Sequence, residues 1–332
     1  MGPVCKVSAH GQEKSNLVQL VQRIENIGER AEGSQHPTEP PPELAVLRNH
    51  AASEIASRTF SPSNVAHIDL ARLQKVGMVT PTGGRTRIVD EYRLIKRPIL
   101  YNAVQLSQEK RGNLVMVTSA QPGEGKTFTA ISLAMSILAE KNIHVLLVDL
   151  DVARQNLCRT LGMSSEKGLI NLLNDTASSL SEVLVPTDLP HLTVLPAGAD
   201  DPLAHELLAS AKMHRFMGHL SNQYRSHLVI IDTAPALVST DTSVLAKNVG
   251  QVIMVVEANR TGRASVEEAV SLVKGCEQIS ILLNKVALSD MIYQYGSYYG
   301  DRYDRETKAS LPERIVALVS RRWPGLRKTG GK

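Results

Sequence analysis

Short apolar runs alternate with helical patterns through the middle of the chain, from residue 114 to residue 283. Runs rich in β-branched residues predict strands at 114–118, 144–149, 192–196, 228–232, 251–256 and 279–283. Between them, apolar residues at helical spacing predict helices at 127–140, 169–173, 204–223, 241–247 and 263–276. Strands that alternate with helices are typical of a mostly parallel sheet. The pattern therefore predicts an α/β fold of three layers, with helices on both faces of the sheet.

The pattern changes twice before this region. Within residues 1–31, apolar side chains recur at helical spacing and predict a short amphipathic helix: Leu17, Leu20, Val21, Ile24 and Ile27. This helix either packs on the core or docks on a partner. Within residues 32–64, the stretch 32–43 brings Gly, Ser, His and four prolines, a composition that buries too little apolar surface to fold. We expect a flexible linker there and a folded domain at residues 65–287.

The pattern changes again after the last predicted strand. Residues 288–305 hold five of the eight tyrosines of the chain: Tyr293, Tyr295, Tyr298, Tyr299 and Tyr303. Their Gly, Ser, Gln and Asp neighbours predict an exposed tail rather than a core element. The phenols are candidate phosphate acceptors; a sticky aromatic patch is the alternative, and the tail is too weakly basic for a nucleic-acid platform. Residues 306–332 are basic and amphipathic, and either dock on the domain or lie on an acidic membrane surface.

A phosphate-binding loop follows the first predicted strand. Residues 120–127 read Ala-Gln-Pro-Gly-Glu-Gly-Lys-Thr, with Ala120 in place of the usual first glycine. The backbone N–H groups of such a loop cradle phosphates, while Lys126 reaches the β- and γ-phosphates and the Thr127 hydroxyl ligates Mg²⁺. The residues expected to bind the nucleotide are Pro122, Gly123, Glu124, Gly125, Lys126, Thr127 and Phe128. The strand before it and the helix after it predict a P-loop NTPase fold.

Acidic residues end two other predicted strands. Asp149 and Asp151 follow one apolar run, and Asp232 follows another. Ligands bind at the carboxyl ends of strands in open α/β sheets, where carboxylates hold Mg²⁺ or accept a proton. A single acid there often caps the next helix instead, but three in one P-loop chain favour catalysis by Lys126 and these acids, with Thr127, Asp149 and Asp232 on the metal. Arg154 either supports the phosphates or pairs with Asp151.

Composition adds limits rather than a function. The net charge of +4 over 332 residues gives no argument for nucleic acid. Cys5, Cys158 and Cys276 are scattered without metal-ligand spacing, which suits a reducing cytoplasm. The N-terminus lacks a secretory pattern, and no apolar run approaches the ~20 residues that cross a bilayer. We expect a soluble cytoplasmic protein.

Taken together, these motifs resemble the bacterial tyrosine autokinases of exopolysaccharide synthesis and export, within the ParA/MinD-like P-loop superfamily. The sequence is most similar to the branch without a membrane module that accompanies exosortase-linked loci. The likeness extends over residues 66–304 and is carried by residues 67–73, 77–81, 90–98, 117–127, 148–154, 195–198, 231–235 and the tyrosine-rich tail. It implies that ATP and Mg²⁺ bind at the P-loop, that Asp149 or Asp151 helps to activate the phenol, and that tail tyrosines are phosphorylated between subunits.

The resemblance also implies an assembly. The helix expected within residues 86–110 carries Asp90, Arg93 and Lys96 at the positions of the family's oligomerisation motif, so we expect a homo-oligomer. The implied partners are a membrane-spanning polysaccharide chain-length regulator, which would recruit the kinase to the inner membrane, and a cognate tyrosine phosphatase. Nucleic acid is not an expected partner. The alternatives are a ParA/MinD-like ATPase, disfavoured because Gln121 replaces that group's extra lysine, and a nucleotide-binding regulator without kinase activity.

Overall fold

The computed structural model describes residues 65–106, 110–140, 143–163 and 167–286, together with the backbone of residues 317–320. The predicted N-terminal helix, the linker and the tyrosine-rich segment lie outside the described residues. No helix in the described ranges is long and apolar enough to cross a membrane.

Eight strands form one sheet in the order β3-β4-β2-β5-β1-β6-β7-β8. Their bounds are β1 Leu114–Ser119, β2 His144–Leu150, β3 Val185–Pro186, β4 Leu192–Leu195, β5 His227–Thr233, β6 Gln251–Glu257, β7 Gln278–Asn284 and β8 Ala317–Ser320. Neighbouring strands are parallel except at the two edges, where β3 and β8 run antiparallel to β4 and β7. The mostly parallel sheet confirms the predicted fold class.

Ten helices lie in the described part of the chain, two before β1 and eight between later strands. They are α1 Leu70–Lys75, α2 Arg87–Gln105, α3 Lys126–Leu138, α4 Asn156–Leu161, α5 Leu169–Leu173, α6 Leu180–Val183, α7 Ala204–Leu208, α8 Ala211–Gln223, α9 Asp241–Ala246 and α10 Arg263–Leu272. Parallel strands need such crossovers, because each must return the chain to the same end of the sheet.

The two faces of the sheet carry separate apolar clusters. In β1, Leu114 and Met116 pack into one cluster, while Val115 and Val117 pack into the other. This division follows from the alternation of side chains along a strand. Every residue of β1 is buried, as expected for a central parallel strand covered on both faces. The three predicted layers are therefore present.

The structure differs from the predicted helices in two places. The predicted helix 204–223 is two helices, α7 and α8, because the Ser210 side chain accepts the Met213 N–H and caps a new helix. The predicted helix 263–276 ends at Leu272, four residues early. The apolar spacing continues through both regions, so periodicity alone does not reveal these ends.

The carboxyl ends of the parallel strands meet at one edge of the sheet. The P-loop leaves β1 there, and the register of β2 with β5 places Asp149 opposite Asp232. Thr127 of the P-loop and Asp232, 105 positions apart in sequence, are thereby brought to one place, which is the candidate active site.

Candidate active site

The P-loop has the backbone that phosphate binding requires. Gly123 and Gly125 adopt φ values of 87° and 100°, which are open to glycine and strained for other residues. A Cβ atom on Gly125 would lie 2.2 Å from the side-chain nitrogen of Asn284. Neither glycine can therefore be replaced without distorting the loop, and α3 begins directly after it at Lys126.

Lys126 connects the loop to two of the strand-end acids. Its Nζ donates to Asp151 Oδ2 at 2.5 Å and lies 3.7 Å from Asp232 Oδ1. The side chains are 8%, 2% and 0% exposed, respectively. Thr127 Oγ1 donates to Asp232 Oδ2 at 2.6 Å. The structure thus brings together Lys126, Thr127 and the predicted acids at the end of the P-loop.

Asp149 and Asp232 are buried next to each other. Burial, and then the Asp232 charge, raise the pKa of Asp149 to about 7, although the Asp151 N–H donates to its Oδ1 at 3.2 Å. Burial also raises the pKa of Asp232 to about 6, against the opposing effects of Lys126 and the Thr127 hydroxyl. The protein therefore holds two carboxylates that favour a cation beside them.

Mg²⁺ fits this donor set. Within the described part of the chain, Asp149 Oδ2 and Asp232 Oδ1 are buried oxygens without a hydrogen-bond partner. Buried polar atoms rarely remain unsatisfied. No group of three or more His, Cys, Asp and Glu side chains in the described ranges could enclose a metal alone. This suits Mg²⁺, which is usually held by one or two carboxylates together with water and substrate phosphates.

Not every P-loop side chain faces a ligand. Glu124 is buried and folds back, where its carboxylate accepts the Gln121 N–H at 2.7 Å and the Thr261 hydroxyl. The Phe128 side chain packs in the apolar cluster beneath α3. Pro122 is exposed. Glu124 and Phe128 can therefore meet a phosphate only through the backbone.

Two residues of the site were not predicted from the sequence. Asn284 Nδ2 donates to the Glu124 carbonyl at 2.7 Å, and Lys285 Nζ donates to the Gly123 carbonyl at 2.8 Å. Their only sequence signal is their position at the carboxyl end of a predicted strand, the location that also singles out Asp149 and Asp232.

Comparison with known proteins decides the family. A family model described as an AAA domain matches residues 112–286. Tyrosine-protein kinase CpsD of Streptococcus agalactiae is 32% identical over 234 residues, which cover 68% of this chain and 99% of CpsD. The chain belongs to the bacterial tyrosine-protein kinases. The resemblance drawn from the sequence is confirmed, and a P-loop domain of this kind binds nucleotide.

This bacterial tyrosine-protein kinase matches different shares of its relatives. EpsB of Ralstonia nicotianae is 32% identical over 222 residues, which cover 66% of this chain but 28% of EpsB. The chain thus spans CpsD almost completely and EpsB by less than a third. The kinase domain of Escherichia coli tyrosine kinase ETK superposes with a TM-score of 0.52 at 23% identity, over 72% of this chain and 90% of that domain. This superposition supports the fold.

The predicted oligomerisation residues of this kinase lie on α2 but do not share one environment. Arg93 is exposed and donates to Asp90 at 2.7 Å. Lys96 is buried, and its Nζ contacts the Ser136 carbonyl at 2.8 Å and Glu140 at 2.7 Å. Lys96 therefore joins α2 to α3 within one subunit. The assembly role of the three residues stays a prediction.

The structure also bears on Arg154. The Asp151 carboxylate binds Lys126, and the Arg154 side chain is exposed. Asp151 therefore pairs with Lys126, and not with Arg154 as one of the two alternatives from the sequence would have it. The candidate acceptor tyrosines lie outside the described residues.

Proposed function

We propose that this kinase transfers the γ-phosphate of ATP to tyrosines 293, 295, 298, 299 and 303 of its own chain. The observation that carries the proposal is the pair of buried oxygens on Asp149 and Asp232 that lack a hydrogen bond in the described structure, beside Lys126 and Thr127 of the P-loop. Phosphoryl transfer depends on phosphate positioning, a cation and an oriented nucleophile. The site contains groups for the first two requirements: Lys126 for the phosphates, and the oxygens of Asp149 and Asp232 for the cation.

Each residue has a defined role in the proposed reaction. Lys126 neutralises phosphate charge, while Thr127, Asp149 and Asp232 supply oxygens for Mg²⁺. Bound Mg²⁺ would neutralise charge on the phosphates. Asp151, which accepts a hydrogen bond from Lys126, is the proposed acceptor of the phenolic proton. Transfer of the Lys126 hydrogen bonds to the phosphates would release the Asp151 carboxylate for this task.

The reaction balances without another reactant. The phenolic oxygen forms a bond to the γ-phosphorus as the bond from that phosphorus to the β–γ bridging oxygen breaks. ADP leaves with the electron pair, and the phenolic proton passes to Asp151. Phosphotyrosine and ADP are the products.

We extend the proposal to the cellular role by family resemblance. The kinase regulates exopolysaccharide synthesis or export, assembles as a homo-oligomer, and is recruited to the inner membrane by a membrane-spanning chain-length regulator. A tyrosine phosphatase reverses the modification. The supporting observations are the family membership and the exposed Arg93 on α2.

Incubation of the purified full chain with ATP and Mg²⁺ tests the chemistry. We expect phosphotyrosine in the wild type and in Lys212→Met, which removes a surface ion pair with Asp175. Lys126→Met, Asp151→Asn and replacement of the five tyrosines by Phe should each abolish the signal. The experiment is repeated after expression with the neighbouring genes, so that an activating partner is present. Phosphate release without phosphotyrosine under both conditions would identify an ATPase and reject the kinase proposal.

A further inference from the structure

The end of β7 contacts the outer side of the P-loop at two consecutive carbonyl groups. Asn284 Nδ2 binds the Glu124 carbonyl, and Lys285 Nζ binds the Gly123 carbonyl, at 2.7 and 2.8 Å. These contacts join positions that are about 160 residues apart in sequence. Neither side chain belongs to the motif that identifies the loop, yet both bind its main chain.

The two contacts fix the direction of the following N–H groups. In a trans peptide the C=O and N–H bonds point in opposite directions from one plane. When Lys285 holds the Gly123 carbonyl, the Glu124 N–H points away from Lys285, and Asn284 likewise turns the Gly125 N–H away from the end of β7. Backbone N–H groups of the loop are the phosphate ligands in a P-loop. The end of β7 therefore orients the phosphate donors.

Lys285 is itself held in place. Its backbone has a φ of 56°, a conformation that costs a non-glycine residue about 1 kcal/mol or more. Its Nζ also contacts Glu257 Oε2 at 2.9 Å, and Arg260 contacts the same oxygen at 3.3 Å. Strained backbone persists where the surroundings determine it and clusters at functional sites. Here the surroundings are Glu257, at the end of β6, and the P-loop.

The opposite side of the loop is fixed by Glu124. Its carboxylate accepts the Gln121 N–H and the Thr261 hydroxyl, so the loop is bound to the segment after β6 as well as to β7. Gly125 has no room for a side chain, because Asn284 occupies that space. The loop is thus built into a rigid shape before any ligand is considered.

We propose that Asn284 and Lys285 are positioning residues for the nucleotide phosphates. They act through the Gly123 and Glu124 carbonyls rather than by touching the phosphates. The inference rests on the nucleotide binding proposed above and adds the residues that preorganise it. Preorganised donors bind more tightly because they need no rearrangement when the ligand arrives.

The test compares Lys285→Met with Lys285→Arg, which keeps a donor and a charge. Lys274→Met is the control, since Lys274 is an exposed lysine just beyond α10 and outside the site. We expect Lys285→Met to weaken ADP binding, measured by calorimetry, about tenfold. The KM for ATP should rise by a similar factor, and kcat should change less than about threefold. Lys285→Arg should recover most of the affinity. The thermal midpoints of all variants should agree with the wild type.

The outcomes separate the two proposals. Wild-type protein that binds neither ADP nor ATP would reject the proposed function itself. Wild-type binding with equal affinity in Lys285→Met and Lys274→Met would overturn only the positioning role. If Lys285→Met does not fold, Glu257→Gln removes the anchor of Lys285 and leaves the lysine in place. That variant should weaken ADP binding about threefold, and unchanged affinity would again overturn the positioning role.

Discussion

Strands β2 and β5 carry paired titratable residues at both of their ends. His144 lies opposite His227 where the strands begin, and Asp149 lies opposite Asp232 near where they end. In each strand, four apolar residues separate the histidine from the aspartate. The two ends share strands and register but differ in chemistry, so they show what distinguishes a structural cluster from a candidate active site.

At the histidine end, His227 is buried and His144 is half-buried, and both are uncharged at neutral pH. Burial, and then the His191 charge, lower the pKa of His144 to about 4, and burial with both neighbouring histidines lowers that of His227 to about 3. The rings of His144 and His191 lie 4.2 Å apart, and those of His144 and His227 5.0 Å apart. Tyr224 and Ser226 complete the surroundings of His227. Neutral imidazoles can be satisfied there without a ligand.

The aspartate end is different because its charges need a partner. Lys126 compensates Asp151 and lies near Asp232, while one oxygen on each of Asp149 and Asp232 has no hydrogen bond in the described structure. Burial, which keeps His144 and His227 neutral, raises the pKa of Asp149 and of Asp232. Burial alone therefore does not identify a site. Buried carboxylate oxygens that lack a hydrogen bond beside a phosphate-binding loop do.

Removing the lysine should give the largest effect. Lys126→Met leaves Asp151 and Asp232 without their cation, and removes the ligand for the β- and γ-phosphates. We expect autophosphorylation to fall by more than about 100-fold. A phosphotyrosine assay measures this loss. Activity within about threefold of the wild type would show that the aspartate end is as inert as the histidine end.

His227→Gln tests the histidine end. A histidine whose pKa is lowered by folding stabilises the protein above its unfolded pKa of about 6.5, and this contribution is lost as pH falls toward 3. At pH 5 the loss from His227 amounts to about 2 kcal/mol. The variant should therefore lose about 2 kcal/mol less than the wild type between pH 7 and pH 5. Urea unfolding at both values measures the difference, and equal losses would reject the assignment.

Asp149→Asn should separate stability from activity. The substitution removes one of two adjacent buried charges, so we expect the free energy of unfolding at pH 8 to rise by about 1 kcal/mol. Autophosphorylation should fall, because a proposed Mg²⁺ ligand becomes a neutral amide. Thermal unfolding and the phosphotyrosine assay are run on the same preparation. A variant that is less stable as well as inactive would show that Asp149 is a structural residue.

The smallest effect is expected from His191→Asn. His191 is exposed and has a φ of 69°, a conformation that asparagine tolerates. Its charge is only the second cause of the low pKa of His144, after burial. Between pH 7 and pH 5, the free energy of unfolding of this variant should fall by less than about 0.5 kcal/mol less than that of the wild type. A reduction as large as that in His227→Gln would mean that repulsion, not burial, keeps the histidines neutral.

Local pattern predicts much of this structure. The central strands are nearly continuous apolar runs because both of their faces are buried, and the P-loop and the strand-end acids follow from spacing and position. These features depend on neighbours in sequence, so one sequence is enough to locate them. The edge strands β3 and β8 are too short and irregular to give a comparable signal.

Contacts between distant residues explain what was not predicted. The histidine pair exists only because of the register between β2 and β5. The bonds from Asn284 and Lys285 to the P-loop depend on the strand order, and no motif contains them. Lys96 matches a surface motif in the sequence, yet α3 packs against it and buries it. Tertiary packing determines each of these outcomes.

Strand β8 gives the chain a second point in the sheet after the tyrosines predicted as acceptors. It pairs antiparallel with β7, with Ala317 opposite Leu283. The chain therefore leaves the sheet after Asn284 at the carboxyl edge and returns to that same edge at Ala317. The chain between these two points includes the tyrosines predicted as acceptors. Because both points belong to the sheet, the number of residues from each point to a tyrosine limits how far that tyrosine can lie from the P-loop of its own chain.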